Sequence, residues 1–370
     1  MTRTIKNIPD NIDVNNFNLV RLIISPSGRF YGSEQVLYDY LAETSLQADV
    51  YVPSTGIFKE KLKALGSKHR IVLYNASSIA LFYLRVFWFL VTGKYKTIYC
   101  NEAGHVKYIS LLARIFRKKK FFIHVRLNED TDPGRWLGDR GDNLKVFVIS
   151  DHIQSQLSFP AIRLYDPYRF ASGVNSLTEC KEPMKIGIIG RISINKGFDH
   201  LISLLNYLKT EGATYDFILY GEPDQELITS GSLEILKAHP NVQLMGFCDD
   251  KDTIYRSIDC VLHLCPTEPL GRIFLESIDF NIPLVGFNSG GIGEIGKMTG
   301  LDELLVNPDG NDVTATLANA LGLVRSEYQR LVRRVTEKKE IASTLFDSKT
   351  YAAKLDGYFS GQLTAKPSGS

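Results

Sequence analysis

Cysteine is scarce in this chain: five residues in 370, at positions 100, 180, 248, 260 and 265. The number is odd, the spacing is scattered and no C-x-x-C pair occurs. That speaks against a disulfide framework and against a zinc site, and reduced thiols in a cytoplasm are the expectation. Long apolar runs are absent too. The longest, Ile79–Val91 (IALFYLRVFWFLV), has thirteen residues and is broken by Arg85, whereas a spanning helix needs roughly 20. The opening segment MTRTIKNIPDNIDVNN is polar and has no apolar signal-peptide region, so secretion is not expected. There is no G-x-S-x-G, no nucleophile-type Cys/His pairing and no H-E-x-x-H, which removes the familiar hydrolase signatures. A dinucleotide fingerprint is missing as well: KIGIIG, at 185–190, lacks the G-x-G-x-x-G spacing. No D-x-D with flanking strands argues for a bound divalent metal, so no metal and no cofactor are expected.

What is present describes a globular α/β protein. Hydrophobic residues make up 44% and charged residues 23%, and the length suits two domains better than one core. The net charge of +2 conceals an asymmetry: residues 1–180 hold 24 Lys and Arg against 16 Asp and Glu, the remainder 19 against 25. A basic first half points to an anionic partner such as a membrane surface or a phosphorylated acceptor, and no nucleic acid partner is expected. Its densest cluster is Arg114, Arg117, Lys118, Lys119 and Lys120. The same cluster also reads as the solvated end of a helix whose last-turn cations complement the dipole. Ile79–Val91 has two readings as well, a buried helix of the first domain or an interfacial helix lying at a membrane surface.

Strand-sized apolar runs occur at 19–25, 49–52, 70–73, 97–100, 121–125 and 146–150, and again at 185–190, 216–220, 242–245, 260–264 and 283–287. Helical or loop segments separate them. That alternation predicts two units with parallel sheets. The expected boundaries are a first domain at 1–170, a polar linker at 171–184 and a second domain at 185–345. Residues 346–370 would be a C-terminal helix and tail, for which packing back on the first domain is one option. The periodic region 312–360 is expected to be helical.

The most informative stretch, 259–294, reads DCVLHLCPTEPLGRIFLESIDFNIPLVGFNSGGIGE. Glu268 and Glu276 stand eight positions apart around Pro269-Leu270-Gly271, a helix-start signal in which proline fits the first turn. The amides of Leu270, Gly271 and Arg272 would face the positive end of that helix, where a phosphate is favoured. One ligand could give hydroxyls to both carboxylates and a phosphate to the amides between them, and a nucleotide-sugar has those parts. Upstream, Gly190 closes KIGIIG, and Arg191 and Lys196 follow five residues apart, so two cations can meet one diphosphate.

These residues, with Asn281-x-Pro283 and Gly290-Gly291-x-x-Glu294, resemble the donor-site signature of retaining GT-B glycosyltransferases, particularly glycosyltransferase family 4. The resemblance implies two Rossmann-like domains facing each other across a cleft, with C-terminal helices. It implies transfer of a sugar from a nucleoside diphosphate to an acceptor hydroxyl, the acceptor being a saccharide or lipid-linked saccharide. Bacterial surface-polysaccharide assembly at the inner face of the membrane is the implied setting. Arg191 and Lys196 would bind the donor diphosphate, Glu268 the sugar and Glu276 the ribose. Gly221 and Phe247, at the ends of the next two strands, would line the nucleotide pocket. In the first domain Gly32 would lie by the donor, with Tyr31 where relatives often have a second glycine. Arg126 aligns with a histidine that contacts the donor sugar in relatives, and the alternative register gives that place to His124. The departing diphosphate would itself take the acceptor proton, in keeping with the absence of an evident general base. Two other readings stay open, a GT-B nucleotide-sugar epimerase and a non-catalytic nucleotide- or carbohydrate-binding protein.

Overall fold

The computed structural model describes residues 21–363 apart from 76–77, 93–94, 139, 171–179 and 181. The polar opening segment, the start of the expected strand at 19–25, most of the expected linker and the tail from 364 lie outside the described residues.

Two parallel sheets organise the chain. The first is built from β1 (Arg21–Ile24), β2 (Ala48–Pro53), β3 (Arg70–Tyr74), β4 (Thr97–Cys100), β5 (Lys120–Val125), β6 (Leu144–Val148) and β7 (Ile162–Arg163), in the order β3-β2-β1-β4-β5-β6-β7. The second is built from β8 (Met184–Ile189), β9 (Tyr215–Tyr220), β10 (Val242–Gly246), β11 (Cys260–His263), β12 (Leu284–Phe287) and β13 (Leu305–Val306), in the order β10-β9-β8-β11-β12-β13. Strands such as RLII and CVLH are buried along their whole length, as parallel strands covered by helices on both faces must be. The expected fold class, two Rossmann-like α/β units, is what forms.

In each sheet the earliest strand sits inside, not at an edge. β1 pairs with β2 on one side and β4 on the other, and β8 pairs with β9 and β11. At these points the direction of strand addition reverses, and the loops leaving the two central strands diverge to leave a crevice at the carboxyl ends.

The chain divides into two compact units, one of residues 21–124, 134–146 and 352–363, the other of 125–133 and 147–351. In the second, Ile186, Leu204, Phe217, Leu219, Leu262 and Val285 belong to one buried cluster. The expected helical region resolves into Val313–Ser326, Tyr328–Leu345 and Ser348–Ser360. The last of these brings Asp356 into the first unit. The Asp356 carboxylate accepts hydrogen bonds from Tyr40 (2.8 Å) and Thr44 (2.6 Å) and pairs with Arg21 at 3.4 Å. Burial pushes its pKa up, against the opposing effect of Thr44, Tyr40 and Arg21.

Ile79–Val91 is a helix with one face in the core and one in solvent. Phe82, Val86 and Leu90 are buried, while Leu81, Leu84 and Trp88 are 56%, 65% and 64% exposed. The fully buried reading is therefore corrected: the 3.6-residue period puts only every third or fourth apolar residue inward. In the basic cluster, Lys119 donates to the Tyr95 carbonyl at 2.6 Å, so that cation anchors the strand before it, while Arg114, Arg117 and Lys118 are exposed.

Replacing Asp356 by alanine strands three donors in a nearly closed site. The expected loss is about 2–4 kcal/mol of stability in urea unfolding, with a smaller loss for Asp356→Asn, which keeps an acceptor.

Candidate functional site

The chemistry-bearing residues of the second unit gather at its reversal point, between the carboxyl ends of β8 and β11. β8 runs into Gly190, whose φ of 126° is a conformation that side chains rarely adopt. Its N–H donates to the Tyr220 carbonyl (2.9 Å), and Gly221 donates to the Gly246 carbonyl (2.8 Å). The ends of β8, β9 and β10 are thus tied together through glycine. Gly221 needs its glycine, because a Cβ there would overlap the Gly190 carbonyl. Arg191 follows, exposed. A short 3-10 turn, Ile194–Lys196, then leads to Gly197 at φ 81°, where a Cβ would strike the Leu264 carbonyl. The chain leaving β8 is therefore pressed against the chain leaving β11.

That contact puts Lys196 on Glu268. Nζ lies 2.6 Å from Oε2, with the glutamate side chain 19% and the lysine 37% exposed. His263, the last residue of β11, brings Nε2 to 3.4 Å from the same oxygen. Nε2 is buried and has no aligned hydrogen-bond partner among the described residues. Burial would raise the Glu268 pKa, but His263 and Lys196 outweigh it and hold the carboxyl at about 2. Burial would likewise lower both bases, yet Lys196 is raised by Glu268, and His263 is raised by Cys265 and Glu268. The carboxylate is thereby held ionised, with the lysine ammonium against it.

The loop carrying Glu268 is held from three sides. Gly291 N–H donates to the Glu268 carbonyl (2.8 Å), Ser289 Oγ to the Pro266 carbonyl (2.7 Å) and Asn128 Nδ2 to the Thr267 carbonyl (2.6 Å). The Gly290-Gly291 pair has a steric explanation here. A Cβ on Gly290 would come 2.6 Å from the Glu268 carbonyl oxygen, and one on Gly291 would overlap the Leu270 backbone. Glu294, four residues on, accepts from the amides of Asp151 (2.9 Å) and His152 (2.6 Å) and from the Tyr165 hydroxyl (3.0 Å). It caps the helix Asp151–Gln156.

The helix after Glu268 starts at Arg272 and ends at Asp279, with Gly271 as its left-handed N-cap at φ 87°. The helix was expected to begin at Pro269, and it begins three residues later because Gly271 takes a conformation that interrupts it. Leu270 is buried, whereas Arg272 reaches the Pro167 carbonyl (3.4 Å) and lies over the Tyr168 ring. Glu276 sits inside the helix, where Lys251 Nζ meets one oxygen at 2.7 Å and Tyr255 Oη donates to the other at 2.8 Å. Burial, then Glu276, pushes the Tyr255 phenol far above its usual range. Phe247, beyond the end of β10, is 67% exposed, and its amide donates to Glu222 at 3.2 Å.

Residues 190, 191, 196, 221, 247, 268, 270, 271, 272 and 276 thus belong to one unit, with Lys196 and Glu268 in direct contact. Arg126 is in that unit too, but its Nε is bound to both oxygens of Asp166 at 3.1 and 2.9 Å and the pair is buried. His124 belongs to the first unit, fully buried, with Nδ1 3.0 Å from Tyr99 Oη. Gly32 begins the helix Gly32–Glu43 after β1, and Tyr31 beside it is 62% exposed. Four residues at or beside the site went unread in the sequence. Lys251 and Tyr255 carried no motif, and His263-x-Cys265-x-x-Glu268 is a spacing that signals a cluster only once the loop has folded back.

Comparison with known proteins bears on this second unit most directly. The family model described as "Glycosyl transferases group 1" matches residues 174–334. An uncharacterized 42.6 kDa protein in the cps region of Klebsiella pneumoniae is 30% identical over 165 residues, which are 43% of this chain and 42% of that protein. The phosphatidylinositol N-acetylglucosaminyltransferase GPI3 subunit of Saccharomyces cerevisiae is 25% identical over 164 residues, 43% of this chain and 35% of the subunit. The matches therefore span less than half the length of these curated relatives. Over the whole fold, the crystal structure of Anabaena Alr3699/HepE in complex with UDP and glucose has a TM-score of 0.71 at 19% identity, covering 93% of this chain and all of that one.

Proposed function

We propose, from the glycosyl transferases group 1 domain that this chain carries in its second half, that it is a retaining glycosyltransferase using a nucleoside-diphosphate sugar. The observation that carries the reading is the Lys196–Glu268 pair at the reversal point of the second sheet (2.6 Å). A cation there can take the charge that develops on a departing diphosphate, and a fixed, ionised carboxylate can accept hydroxyls of the sugar. Arg191, close enough to act on the Lys196 charge, supplies the second cation. Glu276, oriented by Lys251 and Tyr255, accepts the ribose hydroxyls. Gly190, Gly221, Phe247, Leu270, Gly271 and Arg272 line the donor. Two fixed cations do the work of a divalent ion, so the transfer proceeds without one. Likeness to a cps-region protein supports a place in polysaccharide assembly.

The acceptor is a saccharide or lipid-linked saccharide met at an anionic membrane face. Its support is the helix Ile79–Val91, whose exposed Leu81, Leu84, Trp88 and Val91 form an apolar face. Phe87 contacts Phe116, at the end of the neighbouring helix Val106–Ile115. That helix exposes Leu111 and Ile115 and leads into the basic cluster. Apolar side chains bordered by cations suit the boundary between acyl chains and anionic headgroups. Among the described residues no helix is long and apolar enough to cross a membrane.

Lys196→Ala should lower turnover by at least about tenfold, the scale of one lost charged transition-state contact. Glu268→Gln should mainly lower kcat, and Glu276→Gln mainly raise the donor KM. Steady-state kinetics with a panel of nucleotide-sugars checks this, and wild-type behaviour in all three variants would refute the assignment. Release of nucleoside diphosphate that depends on acceptor separates transfer from epimerisation and from simple binding.

The product should keep the donor's anomeric configuration, and activity should persist in EDTA. An inverted linkage by NMR, or loss on chelation that Mg²⁺ restores, contradicts the proposal.

Sedimentation with vesicles should show binding that needs anionic lipid and weakens as salt rises. It should fall in an Arg114→Gln, Arg117→Gln, Lys118→Gln triple variant and in Trp88→Ala. Protein left in the supernatant at low salt would rule the membrane contact out.

A further inference from the structure

We propose that His263, Cys265 and Glu268 form a site for a thiophilic divalent ion of the zinc class, and that an ion held there blocks donor binding. The second clause rests on the glycosyltransferase reading; the first does not. His263 and Cys265 stand two residues apart where β11 ends, so their side chains leave the backbone on the same side. A ring nitrogen of His263, Sγ of the thiol and a carboxylate oxygen of Glu268 lie within 4.8 Å of one another. Zinc–nitrogen and zinc–sulfur bonds of about 2.0 and 2.3 Å place tetrahedral ligand atoms roughly 3.3–3.7 Å apart. The His263–Glu268 separation is already 3.4 Å, so the thiol alone has to close in.

A second observation points the same way. His263 is 8% exposed, and its Nε2 is wholly buried without an aligned hydrogen-bond partner among the described residues. A buried ring nitrogen left in that state is uncommon and calls for an explanation. Here it faces a carboxylate oxygen with a thiol alongside. The donor set also fixes the class of ion. Nitrogen, sulfur and one oxygen suit zinc and its neighbours, whereas magnesium prefers an all-oxygen octahedron.

Binding takes a lone pair from each ligand. The thiol proton, and the second imidazole proton where the ring is charged, pass to solvent, and the bound thiolate and carboxylate neutralise the ion. Lys196 Nζ, which holds Glu268 at 2.6 Å, has to move off. The carboxylate that would accept sugar hydroxyls is then occupied, and the lysine that would hold the diphosphate is displaced. Three protein ligands leave a fourth position for water. The ion is an inhibitor and takes no part in the transfer.

The test uses the full chain, stripped of metal and kept reduced with a phosphine. Cobalt(II) is titrated in as a visible stand-in for zinc. One cobalt per chain should bind, with a cobalt–thiolate charge-transfer band in the near ultraviolet that zinc abolishes. Cys265→Ser should lack the band. Zinc affinity, read by competition with a chromophoric chelator, should fall at least about tenfold in Cys265→Ser and in His263→Gln, and should fall as pH drops because protons compete for the ligands. Thermal melting shows whether each variant is folded, and Cys180→Ser and Cys248→Ser should keep the band. A wild-type chain with no band, or a band that survives in Cys265→Ser, overturns the site. In transfer assays zinc should inhibit the wild type and spare Cys265→Ser, each compared with its own metal-free activity. Zinc binding without inhibition overturns the blocking role. Zinc binding to a wild-type chain that transfers no sugar when metal-free supports the site and counts against the glycosyltransferase reading instead.

Discussion

A carboxylate largely withdrawn from water must be met by positive charge, and around Glu268 that requirement orders much of the second unit. An uncompensated buried charge costs several kcal/mol, so Lys196 and His263 have to reach it. For Lys196 to do so, the chain leaving β8 must turn at Gly190 and press Gly197 against the Leu264 carbonyl, two positions at which a side chain would be strained or would collide. For the Glu268 loop to hold its place, Gly290 and Gly291 must let the next helix approach its backbone directly. Motif residues spread over a hundred positions are thereby explained by one electrostatic need and the close packing that satisfies it.

The two glutamates are not equivalent. Glu268 lies in a loop tied by hydrogen bonds to two other segments, at Asn128 and at Ser289 and Gly291, and its charge is set by a lysine and a histidine. Glu276 lies on a helix, which fixes its direction by backbone geometry alone, and its partners are a lysine and a buried phenol. The first is held by tertiary contacts to its loop, the second by its place in the helix. That difference fits one carboxylate engaged at a reacting centre and another serving as a fixed anchor.

Most strands were legible in the sequence because parallel strands are buried on both faces and read as unbroken apolar runs. β7 and β13 were not: each has two residues, too few to carry a pattern, and each exists only because a neighbouring strand offers it a partner. Side-chain pairing was less legible than strands. Arg126 was read toward a donor sugar, yet it is bound to Asp166, forty positions away. Nothing local in either segment encodes that pairing. His263 and Cys265 escaped for the same reason, since their relation to Glu268 depends on a loop folding back. Ile79–Val91 shows the converse. Its composition is nearly all apolar, so only the periodicity of which residues are buried separates its core face from its exposed one.

The two sheets share a strand order but not a chemistry at the point where that order reverses. In the second, Arg191, Lys196 and the N-terminus of the helix Arg272–Asp279 concentrate positive charge, an arrangement suited to a phosphate-bearing ligand. In the first, the corresponding ends of β1 and β4 present Ser33, Asn101 and Glu102. The Ser33 hydroxyl donates to Glu102, and Asn101 Nδ2 donates to the Ser33 carbonyl at 3.0 Å. Arg29, in the loop that leaves β1, is exposed with its guanidinium over the Tyr31 ring, so this end carries hydroxyl, amide, carboxylate and guanidinium groups together. The same topology is thus repeated with different chemistry, because topology supplies the crevice and the few residues at its rim decide what a crevice can hold.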